Sequence, residues 1–209
     1  MAEVPADGWW ARFPSRGEPG LPAEQTWVAV LGEEFPAGSV VDQPPGAGPA
    51  SRLMTVRVQP GSGRVTSVEV VLPAVPALWF VELAEPAAAP PATTLLAFSD
   101  PRHPDGTVLT EAAARAAGVE GRHQVAALRW WPGTGLAHQI YVGPGFRRRG
   151  LALKLSTAAY GVQKVRGLPD LHADGRRTDD GEAWTGGLPA WAASRLAART
   201  HTLPSMTPS

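Results

Sequence analysis

The sequence lacks cysteine altogether. A chain without thiols forms no disulfide bonds, holds no thiolate zinc site and uses no cysteine nucleophile. It also lacks any apolar run of the roughly 20 residues that a membrane-spanning helix needs. The first residues, MAEVPADGWWARF, contain no basic region followed by an apolar segment. We therefore expect no signal peptide and no membrane association, and a cytoplasmic location is the default.

Charge of either sign is scarce and balanced. The 19 basic and 19 acidic side chains cancel, and charged residues make up 18% of the 209 positions. No global charge therefore draws the chain to nucleic acid or to an acidic membrane. Hydrophobic residues make up 44%, enough for the core of one domain, or of one domain with an appendage. The abundance of alanine, glycine, proline and arginine suggests a high-GC bacterial coding sequence.

Short alternating segments predict a strand-rich chain. Apolar and polar residues alternate in Arg52–Gln59 and in Arg64–Leu72 on either side of a Pro-Gly-Ser-Gly turn, which indicates a hairpin with one buried face. A second hairpin is predicted from His123–Trp131 and Leu136–Val142. Further strands are expected at 26–31, 78–83, 95–98 and 170–173, with helices at 110–117 and after residue 146, and helical turns at 182–184 and 189–198.

These elements predict an α/β (α+β) fold with a mixed, mainly antiparallel central sheet and flanking helices. We divide the chain into a Pro/Gly/Trp-rich segment (1–25), a strand-rich N-terminal half (26–118), a second half (119–200) and a polar tail (201–209). The aromatic side chains of the first segment, Trp9, Trp10 and Phe13, are expected to pack on the body of the protein.

The rest of the chain is organised around the stretch Gln139–Val165. Its strand ends at Val142, and the segment 143–150, GPGFRRRG, which we call the arginine turn, leads into a helix. The apolar residues of that helix recur three or four positions apart on one face, and the polar ones lie mostly off it. The off-face residues are Arg148, Lys154, Ser156, Thr157, Gln163 and Lys164.

Three arginines at a helix start are unusual, because the N-terminal end of a helix already carries partial positive charge. They are understandable if an anion docks there. Gly150 has no side chain to screen the backbone from such an anion. The residues alone therefore predict a phosphate or diphosphate site at the arginine turn, and the alternative is an arginine-rich helix start exposed to solvent.

The spacing Arg147-x-x-Gly150-x-Ala152 resembles the acetyl-CoA signature of the Gcn5-related N-acetyltransferase (GNAT) superfamily, Q/R-x-x-G-x-G/A. The turn Val142-Gly143-Pro144 is similar to the V-x-P-type turn that precedes that signature. The resemblance covers about residues 125–174. It implies a GNAT-like (acyl-CoA N-acyltransferase) fold with a strand-rich, remodelled N-terminal half, because residues 26–98 contain strands where the family has helices.

The resemblance also implies which residues would contact acetyl-CoA, or another acyl-CoA, as the cosubstrate. The end of the signature strand, Ile140, Tyr141 and Val142, would bind the pantetheine. The diphosphate would lie on the arginine turn and the helix start, Arg147, Arg148, Arg149, Gly150, Leu151, Ala152 and Leu153. A strand at Leu171–Ala173 would splay from the signature strand to leave room for the thioester arm. No metal is implied.

Acyl transfer needs a deprotonated amine and a protonated leaving thiolate. His138 and His172 are the candidate bases, with Asp174 as a partner that could orient His172; surface or packing roles are the alternatives for both.

Many family members protonate the thiolate with a tyrosine after the splayed strand, and this sequence has only Tyr141 and Tyr160, both before it. Tyr160 is expected to pack inside the helix. The acids Asp179, Asp180 and Glu182 could receive a cationic amine, but a solvated first helical turn is the preferred interpretation.

Three functions follow for testing. The first is a GNAT-family N-acetyltransferase that transfers an acyl group to an unidentified amine. The second is a non-catalytic GNAT-like module for acyl-CoA binding or protein interaction. The third, contact of the arginines with nucleic-acid phosphate, is disfavoured by the zero net charge and the absence of a wider basic stripe. The partner protein, if any, and the formation of a homodimer are left open by the sequence.

Overall fold

The computed structural model describes residues 8–16, 23–44, 51–193 and 196–204, with the side chains of Ser15 and Arg16 excepted. Parts of the predicted N-terminal segment, of the helical turn at 189–198 and of the polar tail lie outside the described residues. Within the described chain, the first five strands form one sheet in the order β3-β1-β2-β4-β5. They are β1 (Trp9–Arg16), β2 (Glu24–Val30), β3 (Val40–Asp42), β4 (Arg52–Gln59) and β5 (Arg64–Val70). We call this sheet A.

The next five described strands form sheet B, in the order β8-β6-β7-β9-β10. They are β6 (Trp79–Glu85), β7 (Ala92–Phe98), β8 (Val108–Thr110), β9 (Ala126–Trp131) and β10 (Leu136–Val142). Sheets A and B meet at their edges, where the Val68 amide donates to the Gly106 carbonyl oxygen at 2.7 Å. A small parallel pair, β11 (Arg176–Arg177) and β12 (His201–Thr202), lies near the C-terminus.

The two sheets have the same topology, strand for strand. In each, the third strand runs parallel to the first and all other neighbours are antiparallel. The register agrees as well: Trp10 pairs with Val40 in sheet A as Phe80 pairs with Val108 in sheet B. Even the β-bulge in the last hairpin recurs, at Arg57/Val58 in sheet A and at Ala137/Gln139 in sheet B. The chain is therefore an internal repeat of one five-stranded unit.

The turns of the two units match in sequence and in hydrogen bonding. The last hairpins close through Pro60–Gly63 (PGSG) and Pro132–Gly135 (PGTG). In each turn the fourth residue's amide donates to the last residue of the preceding strand, at 3.1 Å to Gln59 O and 2.8 Å to Trp131 O. The serine or threonine hydroxyl in each turn donates to that same carbonyl oxygen. Identical local chemistry at equivalent positions supports the repeat independently of the strand pairing.

The loops that lead into β3 and β8 are a second matching pair. Pro36-Ala-Gly38-Ser-Val40 corresponds to Pro104-Asp-Gly106-Thr-Val108, and both glycines have positive φ, 72° and 83°. One aromatic ring of each loop packs edge-on against the first tryptophan of its sheet. Phe35 lies 4.7 Å from Trp9, and His103 lies 4.7 Å from Trp79, between ring centroids. The two loops therefore share their aromatic packing as well as the left-handed glycine.

The helix α2 (Leu151–Val165) packs against both sheets and fills the main core. Gly161 approaches Met54 and Val56 of sheet A so closely that an added Cβ would lie 2.6 Å from the methionine sulfur. The opposite side meets sheet B, where Gln163 accepts from the Trp130 indole at 3.0 Å. The prediction that Lys154, Thr157 and Gln163 lie off the apolar face of this helix is wrong, because all three are buried. An amphipathic helix on one sheet would expose its polar face to water. Here α2 packs against a second sheet, which buries that face as well.

The outer faces of the two sheets are covered differently. Trp9, Ala11, Val28 and Val30 form a small apolar cluster on sheet A, with Phe35 packed on it. The equivalent face of sheet B is covered by α1 (Glu111–Ala116), through Ala114. Two further helices, α3 (Asp179–Gly186) and α4 (Ala190–Ala193), follow α2. Among the described helices, none combines the length and the apolar character needed to cross a bilayer.

The α+β class and the mainly antiparallel pairing are confirmed, but two sheets replace the single central sheet that was expected. The packing expected of Trp9 and Trp10 is confirmed, since both are buried, yet they belong to β1 rather than to a separate segment. The division at residue 118 stays a prediction. The sheets change over within residues 71–78, and the strand-rich half runs into sheet B.

Candidate functional site

The arginine turn joins the last strand of sheet B to α2. Pro144–Phe146 form a single 3-10 turn, and Arg147 Nε then donates to the Val142 carbonyl oxygen at 3.3 Å, which closes the bend. Arg148 follows with φ 59° and Gly150 with φ 77°. A left-handed arginine costs roughly 1 kcal/mol or more relative to glycine. The turn is held in this shape by its surroundings, and it points two arginines, Arg148 and Arg149, into solvent.

The three arginines have different environments. Arg147 forms an ion pair with Asp180 of α3 at 3.3 Å. The guanidinium carbon of Arg149 lies 5.8 Å from the centroid of the Phe146 ring, within range of a cation–π contact. Arg148 is exposed. The two exposed arginines are therefore the side chains of this turn best placed to meet an anion arriving from solvent.

The start of α2 offers backbone donors. Gly150 is the N-cap residue, and no side chain within the described chain caps the first turn. The N–H groups of a helix's first turn have no partner inside the helix, and together with the helix dipole they favour an anion. Leu151 itself is buried, whereas Ala152 and Leu153 are half-buried.

The role predicted for Gly150 needs a correction. An added Cβ at this position would lie 2.5 Å from a methyl carbon of Val75, which belongs to the linker between the sheets. The space that glycine leaves is thus filled by Val75 and is not open to an anion. Gly150 is required by its positive φ and by this contact. Any anion would approach the helix start from the side of Arg148 and Arg149.

The free edge of β10 lies directly before the turn. The Gly143 amide donates to the Val125 carbonyl oxygen at 2.9 Å. Because inward and outward backbone groups alternate along an antiparallel strand, Tyr141 faces β9, whereas Ile140 and Val142 turn their N–H and C=O groups to the edge. Apart from the Val142 carbonyl bonded to Arg147, these outward groups have no hydrogen-bond partner among the described residues. Of the three residues predicted to bind pantetheine, Ile140 and Val142 have the suitable direction.

A returning segment covers only the first part of the same edge. After α2 the chain runs parallel to β10 at one point: Ala137 donates to His172 O at 2.8 Å, and His172 donates to Gly135 O at 2.9 Å. Beyond Ala173 the chain moves away to β11. The strand at 170–173 was predicted, and here it forms isolated bridges only. Among the described residues, it leaves the second half of β10 uncovered, next to the arginine turn.

The two candidate bases are both exposed. His138 lies at the bulge of β10 and stacks on Trp131, with ring centroids 4.9 Å apart. His172 Nδ1 lies 3.2 Å from the Asp170 carbonyl oxygen. The proposed partner Asp174 instead accepts from the Arg176 amide at 2.9 Å. Neither histidine therefore has a carboxylate partner among the interactions of the described chain, and both roles stay predictions.

The other candidate side chains have structural partners. Tyr160 is buried beside Trp10, as predicted for a packing residue. The acids Asp179, Asp180 and Glu182 lie in the first turn of α3, which Thr178 caps. Each of the three also pairs with an arginine: Arg199 at 2.7 Å, Arg147 at 3.3 Å and Arg177 at 2.9 Å. Their arrangement agrees with the preferred interpretation of a capped helix start.

An open groove of about 620 Å³ adjoins the arginine turn, and sequence reasoning missed it. It is lined by residues 99, 100 and 102 after β7, 122–125 before β9 and Phe146 of the arginine turn, so it joins parts of the chain that are distant in sequence. Inside it, Arg102 binds Asp100 with two contacts of 2.9 Å. This bond, aided by the Arg102 amide and by the Trp79 indole, lowers the pKa of Asp100 from 3.8 to about 2.

A buried lysine near the helix start was also missed. Lys154 is 2% exposed, and its Nζ contacts both carboxylate oxygens of Asp105, at 2.8 and 2.9 Å, and the Pro76 carbonyl oxygen at 3.1 Å. Asp105 also accepts from the Leu78 amide at 2.7 Å. The pair ties α2 to the linker between the sheets and to the loop before β8. It is a structural connection beneath the candidate site.

Within the described residues, no group of three or more histidine, aspartate or glutamate side chains could hold a metal ion. Comparison with known proteins finds no family model, no curated protein and no solved structure that matches this chain. The function must therefore be argued from the geometry of the arginine turn, the β10 edge and the groove.

Proposed function

We propose that this protein binds acetyl-CoA or another acyl-CoA at the open half of the β10 edge, and transfers the acyl group to an amine. The observation that carries the proposal is the partial covering of β10. The returning segment bonds at Ala137 and leaves the edge at Ile140 and Val142 free. This opening ends at a 15-residue helix whose first turn no described side chain caps, with two exposed arginines beside it.

The chemistry of a CoA thioester fits these groups. Pantetheine carries two amides, which can add to a strand edge as a short extra strand does. The outward N–H and C=O groups of Ile140 and the N–H of Val142 are the complementary donors and acceptor. The diphosphate would then reach the first turn of α2, where backbone N–H groups and the Arg148 guanidinium favour a dianion.

For the transfer step, the amine nitrogen attacks the thioester carbonyl carbon and the C–S bond breaks. One proton leaves the amine, and the thiolate takes one up. His138 is the nearer candidate for the base in sequence, two residues before Ile140 on the same strand. Its ring is exposed, so an amine arriving from solvent can reach it. A water molecule would have to protonate the thiolate, since Tyr160 is buried.

A second candidate function is a non-catalytic module that binds acyl-CoA or a partner protein. The specific observation in its favour is the state of the candidate catalytic groups. His138 is stacked on Trp131, Tyr160 packs against Trp10 in the core, and the acids at the start of α3 are paired with arginines. A binding module needs the open edge and the helix start, but no base.

Calorimetric titration with acetyl-CoA tests the binding step. Arg148→Gly is the informative variant, because glycine accepts the positive φ of this position while the guanidinium is lost. We expect its affinity to fall about tenfold, the loss typical of one charge-assisted hydrogen bond. Arg115→Gln, an exposed arginine on α1, is the matched control and should bind normally. Gly150→Glu is unsuitable, since it would collide with Val75 and change the fold of the turn.

Turnover then separates the two candidates. With acetyl-CoA bound, release of free CoA thiol in the presence of a panel of amines, reduced in His138→Gln, supports the transferase. Binding without amine-dependent thiol release supports the module. Absence of binding by the folded protein at millimolar acetyl-CoA would overturn both.

A further inference from the structure

The groove beside Phe146 lies at the same end of sheet B as the arginine turn. The Gly143 amide bonds the Val125 carbonyl oxygen, which fixes the start of β9 against the end of β10. Phe146 belongs to the turn and also lines the groove. A ligand whose diphosphate lies on the start of α2 would therefore have its next chemical group near this groove.

The groove combines two arginines with a phenylalanine ring. Arg102, Arg122 and His123 line it with a single carboxylate, Asp100, which is already bound to Arg102. Arg122 forms an ion pair with Glu120, but its side chain is 74% exposed. A surface pair of this kind contributes little stability, so its guanidinium can turn to a stronger anion at small cost. Arg149, over the Phe146 ring, adds a further cation nearby.

The volume of the groove and the Phe146 ring suit a nucleoside as well. About 620 Å³ lies within the range of small-molecule sites. The half-buried Phe146 ring offers a surface for a planar base, and stacking on such a ring does not depend on a particular base. An aromatic surface next to arginines that suit phosphate oxygens is the chemistry that recognises a phosphorylated nucleoside.

We propose that this groove binds the 3′-phosphorylated adenosine end of the cosubstrate, with Arg122 holding the 3′-phosphate and Phe146 contacting the adenine. The inference rests on the proposed function, because it assigns the other end of the same ligand. A contact between Arg122 and the 3′-phosphate leads to a discrimination that acyl-CoA binding alone does not require. The protein should distinguish CoA from dephospho-CoA, which differs only by the 3′-phosphate.

The test is a calorimetric comparison of CoA, dephospho-CoA and adenosine 3′,5′-bisphosphate, for the natural chain and for Arg122→Gln. We expect dephospho-CoA to bind about tenfold more weakly than CoA, as the loss of one charge-assisted phosphate contact predicts. Arg122→Gln should weaken CoA to the level of dephospho-CoA and leave dephospho-CoA unchanged. Arg115→Gln is the matched control, since Arg115 is also exposed and paired with a nearby glutamate.

The outcomes separate this inference from the proposed function. Equal affinities for CoA and dephospho-CoA, with binding that still depends on Arg148, would overturn the groove assignment and retain acyl-CoA binding. Binding of adenosine 3′,5′-bisphosphate that requires Arg122, without any binding of acetyl-CoA, would retain the groove as a nucleoside-phosphate site and overturn the proposed function. No binding of any of the probes would overturn both.

Discussion

Sheets A and B are built to one plan, but only sheet B leads into the candidate site. After β5, sheet A continues into the linker at 71–78, whereas β10 continues into the arginine turn and α2. The loops before the third strands differ as well. Sheet A has Gly32 and Glu34 where sheet B has Asp100 and Arg102, by the alignment of the two matching loops. The shared positions maintain the fold, and the positions that differ carry the charges of the groove and the turn.

A single helix, α2, stabilises both sheet A and sheet B. Among the described elements, sheet A has no helix of its own on its inner face, and α2, which follows sheet B, covers both. Each five-stranded unit alone would expose the apolar residues that now face α2, including Met54 and Val56 on sheet A. Burial of that area is the main favourable term holding the two units together. We therefore expect the two sheets to unfold as one cooperative unit.

The largest predicted effect concerns Asp105, which corresponds to Ala37 in sheet A. Asp105→Ala would leave Lys154 buried and unpaired, and would remove the acceptor of the Leu78 amide. We expect the free energy of unfolding to fall by about 3 kcal/mol, because the buried Lys154 charge loses its carboxylate partner. Urea denaturation measures this.

The matched control for that prediction is the double variant Asp105→Ala/Lys154→Met. It removes the stranded charge and should recover part of the lost stability. A single variant as stable as the natural chain would contradict the structural role assigned to the pair. The exchange of Ala37 in sheet A for Asp105 in sheet B would then have no effect on stability.

The next effect compares two equivalent glycines. Gly38 and Gly106 have similar positive φ, but an added Cβ at Gly38 lies no closer than 4.0 Å to another atom, whereas at Gly106 it lies 2.7 Å from the Val68 carbonyl oxygen. Gly38→Ala should cost about 1 kcal/mol from the left-handed backbone alone. Gly106→Ala should cost about 2 kcal/mol more, because the junction between the sheets must shift. Thermal or urea unfolding of both variants measures the difference, and equal costs would argue against a close junction between β5 and β8.

The sequence predicted those elements whose signals are local. The bounds of β4 and β10 were predicted correctly, since half-buried strands alternate along the chain and both end in strong turns. The three-residue strands β3 and β8 were not predicted, because they exist only through pairing with β1 and β6. The strand β1 was hidden by the Pro- and Gly-rich composition around it.

The repeat, in contrast, was readable and was missed. Its signals are the paired motifs P-x-G-S/T-V at 36–40 and 104–108, and PGSG and PGTG at 60–63 and 132–135. The arginine turn and the free edge of β10 followed from sequence in outline. The groove did not, because it is assembled from loops at least 20 residues apart. The burial of Lys154 could not be predicted either, since it requires a second sheet on the polar face of α2.

The smallest predicted effect concerns the Asp100–Arg102 pair, which sheet A lacks. The pKa of Asp100 is lowered from 3.8 to about 2, chiefly by the side-chain bond from Arg102. A lowered pKa means that the ionised form of Asp100 is stabilised in the folded state. Its contribution to the free energy of unfolding is therefore complete above about pH 4 and is lost as the pH falls towards 2.

Because the pair is partly exposed, we expect Asp100→Asn to lower the free energy of unfolding by about 1 kcal/mol at pH 7. Urea denaturation of both proteins from pH 7 to pH 2 should show this gap closing between about pH 4 and pH 2. A gap that stays constant over that range would assign the cost to lost packing rather than to the charge, and the groove would then differ from sheet A in shape alone.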